Sequence, residues 1–135
     1  MRPNIINAQF TLSICITEEM TAILDNKQIH PVYSTFWLVY HAELASRKAI
    51  EPYFETDDQA IGAGISVQHI SMASIGETVE ITAIVKEYNG SKILSEFIAA
   101  IPKHNIIIAK GEQTQILMKQ ADIDKRISLA YSRSH

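Results

Sequence analysis

From Phe36 to Ala45 eight of ten residues are apolar, and the two exceptions are His41 and Glu43. The run lies within VYSTFWLVYHAELASRKAI, residues 32–50, with Ser34 or Thr35 placed to cap a helix and Pro52 to stop it. A helix that is apolar around most of its circumference has to be surrounded by other layers of the fold. A carboxylate within it is therefore an anomaly. Even a neutral polar group left unpaired in such surroundings costs roughly 2–7 kcal/mol, and a charge costs more. Glu43 either pairs with Arg47 one turn later, as an ordinary exposed i,i+4 bridge, or it has a chemical use.

The remainder of the chain is predominantly β. In AQFTLSICIT the residues Phe10, Leu12, Ile14 and Ile16 alternate onto one face and predict a first strand. EEMTAILDNKQIHP reads as a short helical turn or lid, ended by Asp25-Asn26 and Pro31. After the helix come QAIGAGISVQHISMAS, then Gly76 and ETVEITAIVKEY, a hairpin at Asn89-Gly90, SKILSEFIAAI, a PKHN turn and IIIAKGEQTQILMK. The tail from Gln120 is polar and predicts at most one loose helical turn. One apolar helix and a run of antiparallel strands pack well only if the sheet curves around the helix. This α+β arrangement is the hot-dog fold, here expected as a single domain over residues 1–135. Such a sheet has an open edge, and nothing in the sequence offers to cover it. Pairing two sheets edge to edge, as a homodimer, is the natural remedy.

Composition narrows the function by exclusion. A net charge of −3 leaves no electrostatic footprint for nucleic acid. Five scattered histidines, with no HxH or HxxxH pair, suggest no metal site. Cys15 is the only cysteine, so no intrachain disulfide forms and a reducing cytoplasm fits; its alternating neighbours make it a small core residue. The N-terminal stretch has no uninterrupted apolar core, which points to neither a signal peptide nor a membrane span.

His69 supplies the second polar anomaly. Period-two reading places Ile61, Ala63, Ile65, Val67 and His69 on one face, and Ala60, Gly62, Gly64, Ser66 and Gln68 on the other. A histidine projecting from the apolar face needs a hydrogen-bond partner, and Glu43 is the obvious one. Thr35 and Glu43 are eight residues apart, about 80° past two full turns and about 12 Å along the axis. They sit on neighbouring sides of the helix, too far apart to bond directly. Each residue alone has an ordinary reading: Thr35 as a cap, His69 as a satisfied core histidine, Gly62 and Gly64 as a bulge or a bend in the curved strand.

Together they match a family. YST ending at Thr35, Glu43 eight residues on, Gly62 at the opening of the next strand and His69 seven residues later resemble the fluoroacetyl-CoA thioesterase-like branch of hot-dog proteins, as does the downstream SIGETVEITAIV. The resemblance implies hydrolysis of an acyl-CoA or acyl-carrier thioester, with coenzyme A as part of the substrate and no separate cofactor. It implies Thr35, Glu43 and His69 as catalytic residues, and Gly62 with the neighbouring Ser34 and Phe36 against the substrate. Which of the three is the nucleophile stays open. Two departures bear on specificity. The fluoroacetate-specific members have phenylalanines in the lid, whereas none occurs here between Thr11 and Thr35. Phe36-Trp37 is also bulkier than the residues common after the threonine and is expected to shorten or reshape the acyl pocket. Two other readings remain: a hot-dog hydratase or dehydratase, and a non-catalytic acyl-CoA-binding dimer.

Overall fold

The computed structural model describes every residue from Met1 to His135. Five strands form one antiparallel sheet: β1 (Gln9–Cys15), β4 (Asp58–His69), β5 (Thr78–Tyr88), β6 (Lys92–Ile101) and β7 (Ile106–Lys119), in the spatial order β1-β5-β6-β7-β4. The helix α1 (Thr35–Ile50) lies on its inner face. Leu38, Ala42, Ala45 and Ala49 are buried from the helix side, and Ile14, Val79, Ile81, Ala83, Phe97 and Ile108 from the sheet side. Small residues on α1 let it come close to the sheet, while β-branched residues on the strands fill the space between. This is the expected hot-dog arrangement.

The helix is not sealed all round. Phe36, Tyr40 and Glu43, at i, i+4 and i+7, form an exposed stripe on its far side. The expectation that Glu43 is buried is therefore wrong for the single chain. Beside this stripe runs β4, a sheet edge of 12 residues that pairs only with β7.

Three local expectations need correcting. The lid after β1 is a hairpin rather than a helical turn. A single 3-10 turn (Glu18–Met20) leads into β2 (Thr21–Leu24) and β3 (Lys27–Tyr33), joined by Asp25-Asn26. Both turn residues have positive φ (54° and 60°), the primed turn that a two-residue hairpin loop requires and that Asp and Asn tolerate. The tail is helix α2 (Gln120–Ser134), not a loose turn. It contains no glycine or proline, Gln120 Nε2 donates to Asp124 Oδ1 at 2.9 Å, and only Ile123 is buried. Cys15 lies on the outward face of β1 with Gln9, Thr11 and Ser13, and is exposed rather than in the core.

The turns at Asn89-Gly90 and Pro102–Asn105 fall where expected. Asn89 Oδ1 accepts from the backbone N–H of Ser91 and Lys92, and Gly90 has φ +95°. No helix is long and apolar enough to cross a membrane.

Candidate active site

The start of α1 is set by Ser34, whose Oγ accepts from the Trp37 backbone N–H at 3.1 Å. With Ser34 taking the cap, the Thr35 side chain is free, and Thr35 Oγ1 lies 2.9 Å from His69 Nδ1. His69 thus finds its partner in Thr35, not in Glu43 as the sequence suggested. Burial holds the imidazole below its ordinary value, partly opposed by the Ser71 backbone, which keeps it neutral near pH 7. Its other nitrogen, Nε2, is buried without a partner.

How β4 presents both Gly62 and His69 to the helix was hidden by strict alternation. Pairing with β7 runs from Gly62 opposite Gln115 directly to Gly64 opposite Thr114, so Ala63 is a bulge. One extra residue reverses the parity of the strand. Ala60 and Gly62 face inward before the bulge, Val67 and His69 after it, and Ile61 is turned outward, against the face assignment made from the sequence. Seven residues then separate two positions on the same face.

At Gly62 the constraint is room. A methyl group there would collide with Glu43 Oε1 and stand 3.4 Å from Glu43 Cδ. The carboxylate thus lies over the bare backbone of β4. It has no ion-pair partner. Arg47, the alternative partner, is engaged elsewhere: Nε with Glu51 Oε2 at 3.1 Å, Nη1 with the Ala60 carbonyl at 2.8 Å, and Nη2 with Gln59 Oε1. The surface-bridge reading of Glu43 therefore fails.

Two adjoining clefts share Glu43. One, of about 370 Å3, is lined by Thr35, Phe36, Val39, Tyr40 and Glu43. The other, of about 270 Å3, is lined by Tyr40, Glu43, Leu44, Arg47, Gly62 and Gln115. Thr35 and Phe36 border the first and Gly62 the second, Tyr40 and Glu43 stand between the two, and His69 lies behind Thr35. Ser34 lines neither cleft; it is buried, and its hydroxyl accepts the cap bond from Trp37. His41, which had no nameable partner in the sequence, is buried, and its Nδ1 lies 2.6 Å from Tyr33 Oη. No cluster of three His, Cys, Asp or Glu side chains that could hold a metal ion occurs.

Comparisons with known proteins show the family and the fold. The sequence profile of the fluoroacetyl-CoA-specific thioesterase family, FlK, matches residues 16–121. The chain belongs to this family. It is a thioester hydrolase. A hypothetical protein of Thermus thermophilus, described as a thioesterase superfamily member, is 28% identical, superposes with a TM-score of 0.94, and is matched over 98% of this chain and 97% of its own. A variant of FlK in complex with fluoroacetate and CoA is 22% identical with a TM-score of 0.77, over 91% of this chain and 99% of that one. A hot-dog-like protein from Thermanaerovibrio acidaminovorans shares only 15% identity but reaches a TM-score of 0.85, over 96% and 93% of the two chains. No curated protein matches the chain.

Proposed function

We propose that the chain hydrolyses a small acyl-CoA thioester in the clefts bordered by Thr35, Glu43, Phe36 and Gly62. The observation that carries this reading is the 2.9 Å contact between Thr35 Oγ1 and His69 Nδ1 at the end of a cleft that also holds an unpaired carboxylate. Hydrolysis needs a base, an oxyanion donor and a nucleophile. Glu43 takes a proton from water, which attacks the carbonyl carbon. The Thr35 hydroxyl, oriented by neutral His69, donates to the developing oxyanion. The C–S bond then breaks, the thiolate takes up the proton held by Glu43, and a carboxylic acid and a thiol leave. An attack by Thr35 itself, with His69 as its base, uses the same residues. Coenzyme A enters only as part of the substrate.

Phe36 is 73% exposed in the single chain, and Tyr40 one turn later on the same face of α1 is exposed too. This stripe and the unpaired edge of β4 favour a homodimer with a continuous sheet and both grooves at the interface. Small-angle scattering at micromolar concentration checks this, and a monomer there counts against it.

The activity is tested with acyl-CoA thioesters of graded length, scored by release of free thiol. Short acyl groups should be turned over and long ones refused. Hydration of an enoyl thioester without thiol release would favour the hydratase reading instead. Ile23, Leu24 and Ile29 are the exposed apolar side chains of the lid hairpin, and no phenylalanine is among them. Fluoroacetyl-CoA should therefore exceed acetyl-CoA by less than about 200-fold, the upper range for one substituent in an apolar pocket.

A further inference from the structure

Behind Gly62 the inner face of the sheet carries an unexpected polar group. Gln113 and Gln115 on β7 are both almost wholly buried, at 1% and 2% exposure, and Gln115 Nε2 donates to Gln113 Oε1 at 3.1 Å. Gln113 Nε2 is left without a partner, and so is the hydroxyl of Ser95, its neighbour across the β6–β7 pairing. Orphaned buried donors are costly, and two leucines would fill the same space without that cost.

The spare donor points somewhere specific. It lies 3.7 Å from the place a side chain at Gly62 would begin, the same place that Glu43 Oε1 crowds from the helix side. The missing side chain of Gly62 is thus a window, with a carboxylate on one side and an amide N–H on the other. With the Gln113 carbonyl oxygen accepting from Gln115 Nε2, the Gln113 NH2 is the end left free. We propose that Gln113, held by Gln115, is a positioning residue for Glu43: a small side-chain rotation brings its Nε2–H, unpartnered in this structure, to donate through the Gly62 window to the Glu43 carboxylate and keep it directed at the thioester. The proposal rests on the reading of Glu43 as the reacting carboxylate.

A double-mutant cycle on the full chain tests it, using the best substrate from the acyl-CoA series. Glu43→Gln alone reports on the underlying reading, and undiminished turnover in it removes both that reading and this inference. If Glu43→Gln is impaired, Gln113→Leu should lower kcat by about tenfold, as loss of a hydrogen bond to a charged group does, with KM within about twofold. In the Glu43→Gln background the same change should cost nothing further. Unchanged kcat in Gln113→Leu, or an equal loss in both backgrounds, overturns the inference while leaving the role of Glu43 standing.

A second measurement needs no folded Gln113 variant. In the wild type the side-chain NH2 resonances of Gln113 should respond to pH, and in Glu43→Gln they should not. The other titratable groups facing Glu43 in its cleft are Arg47 and Tyr40, both on α1; Gly62 on β4 and Gln115 on β7 carry no charge. Resonances that stay still in the wild type, or that move equally in Glu43→Gln, overturn the inference.

Discussion

Two hydroxyl–imidazole pairs flank the start of α1, and they differ chiefly in what can reach them. Tyr33 Oη and His41 Nδ1 are 2.6 Å apart inside the core, with the Tyr33 and His41 rings stacked and Trp37 tilted against His41. Thr35 Oγ1 and His69 Nδ1 are 2.9 Å apart at the mouth of a cleft. Burial raises the Tyr33 phenol and lowers both imidazoles, so in each pair a neutral hydroxyl meets a neutral ring at pH 7. The chemistry offered is the same. The sealed pair can only satisfy itself and hold α1 in place, whereas the open one can meet a substrate, with Glu43 in the same cleft.

The sharpest way to break this comparison is through turnover. His69→Ala and Glu43→Gln should each lower kcat by roughly 10²–10⁴-fold, the usual scale for removing an acid–base group. Their combination should cost much less than the product of the two, as expected of groups acting in one unit. Tyr33→Phe should leave kcat within about twofold once folded protein is assayed. Kinetics of the four variants on one thioester decide it. An equal loss in Tyr33→Phe would make the two pairs functionally alike and end the distinction.

The sequence revealed much of this, but unevenly. The helix, the order of the long strands and the Asn89-Gly90 turn were legible because periodicity and turn chemistry act locally. Thr35, Glu43, Gly62 and His69 were legible as a spacing. Their geometry was not, because one extra residue at Ala63 changes which face every later side chain takes; the flanking Gly62 and Gly64 signalled a bulge or bend, but alternation was carried straight through it. The Tyr33–His41 pair was missed because it joins the end of a strand to the second turn of a helix. Glu43 was read as buried because Phe36 and Tyr40 made its face look like core; that stripe instead faces outward. The helix α2 was missed because only Ile123 anchors it to the body, leaving almost no apolar pattern to read.

A second change sharpens the open side. Gly62→Ala places a methyl where Glu43 Oε1 now lies, and the obstructing atom is the end of a flexible side chain. The carboxylate can swing away cheaply, so stability should change little. The displacement should still lower kcat by about 10²-fold, since misplacement of a reacting group by about 1 Å costs that much. Gly111→Ala is the contrast: there the new methyl meets the Ser66 carbonyl oxygen, which is backbone, and Phe97 Cζ at 2.7 Å. That variant should lose stability instead. Thermal melts and kcat measured on both separate a glycine kept for room at the site from one kept for strand packing.

On the sealed side the expected effect is on stability alone. Tyr33→Phe keeps the ring and its contacts but leaves His41 Nδ1 buried with no partner. The cost should be about 1–3 kcal/mol, the usual penalty for an orphaned buried polar group. Urea denaturation should show it as a lower midpoint with an unchanged slope. Thr35→Val, which breaks the open pair, should cost less, because His69 can turn to water. Equal losses would show that both pairs are structural.

The smallest effect is carried by pH, and both pairs contribute with the same sign. His41 and His69 are each held below the ordinary value of 6.5, in both cases chiefly by burial. Between the depressed native value and 6.5 the unfolded chain binds a proton that the native chain does not. Stability is therefore fully present above about pH 6.5 and declines as pH falls below it, by at most about 1.4 kcal/mol per pH unit for each histidine. Replacing one of them by a side chain that does not titrate should flatten this slope. His41→Phe tests the sealed pair and His69→Gln the open one. His41 is 6% exposed and His69 is only half-buried, so His41→Phe should flatten the slope more. Denaturation midpoints at pH 5.5, 6.5 and 7.5, steps chosen to bracket the ordinary histidine value, make the comparison. A wild-type midpoint that rises as pH falls through this window would reverse the sign and show that one imidazole has an anionic partner in the native state.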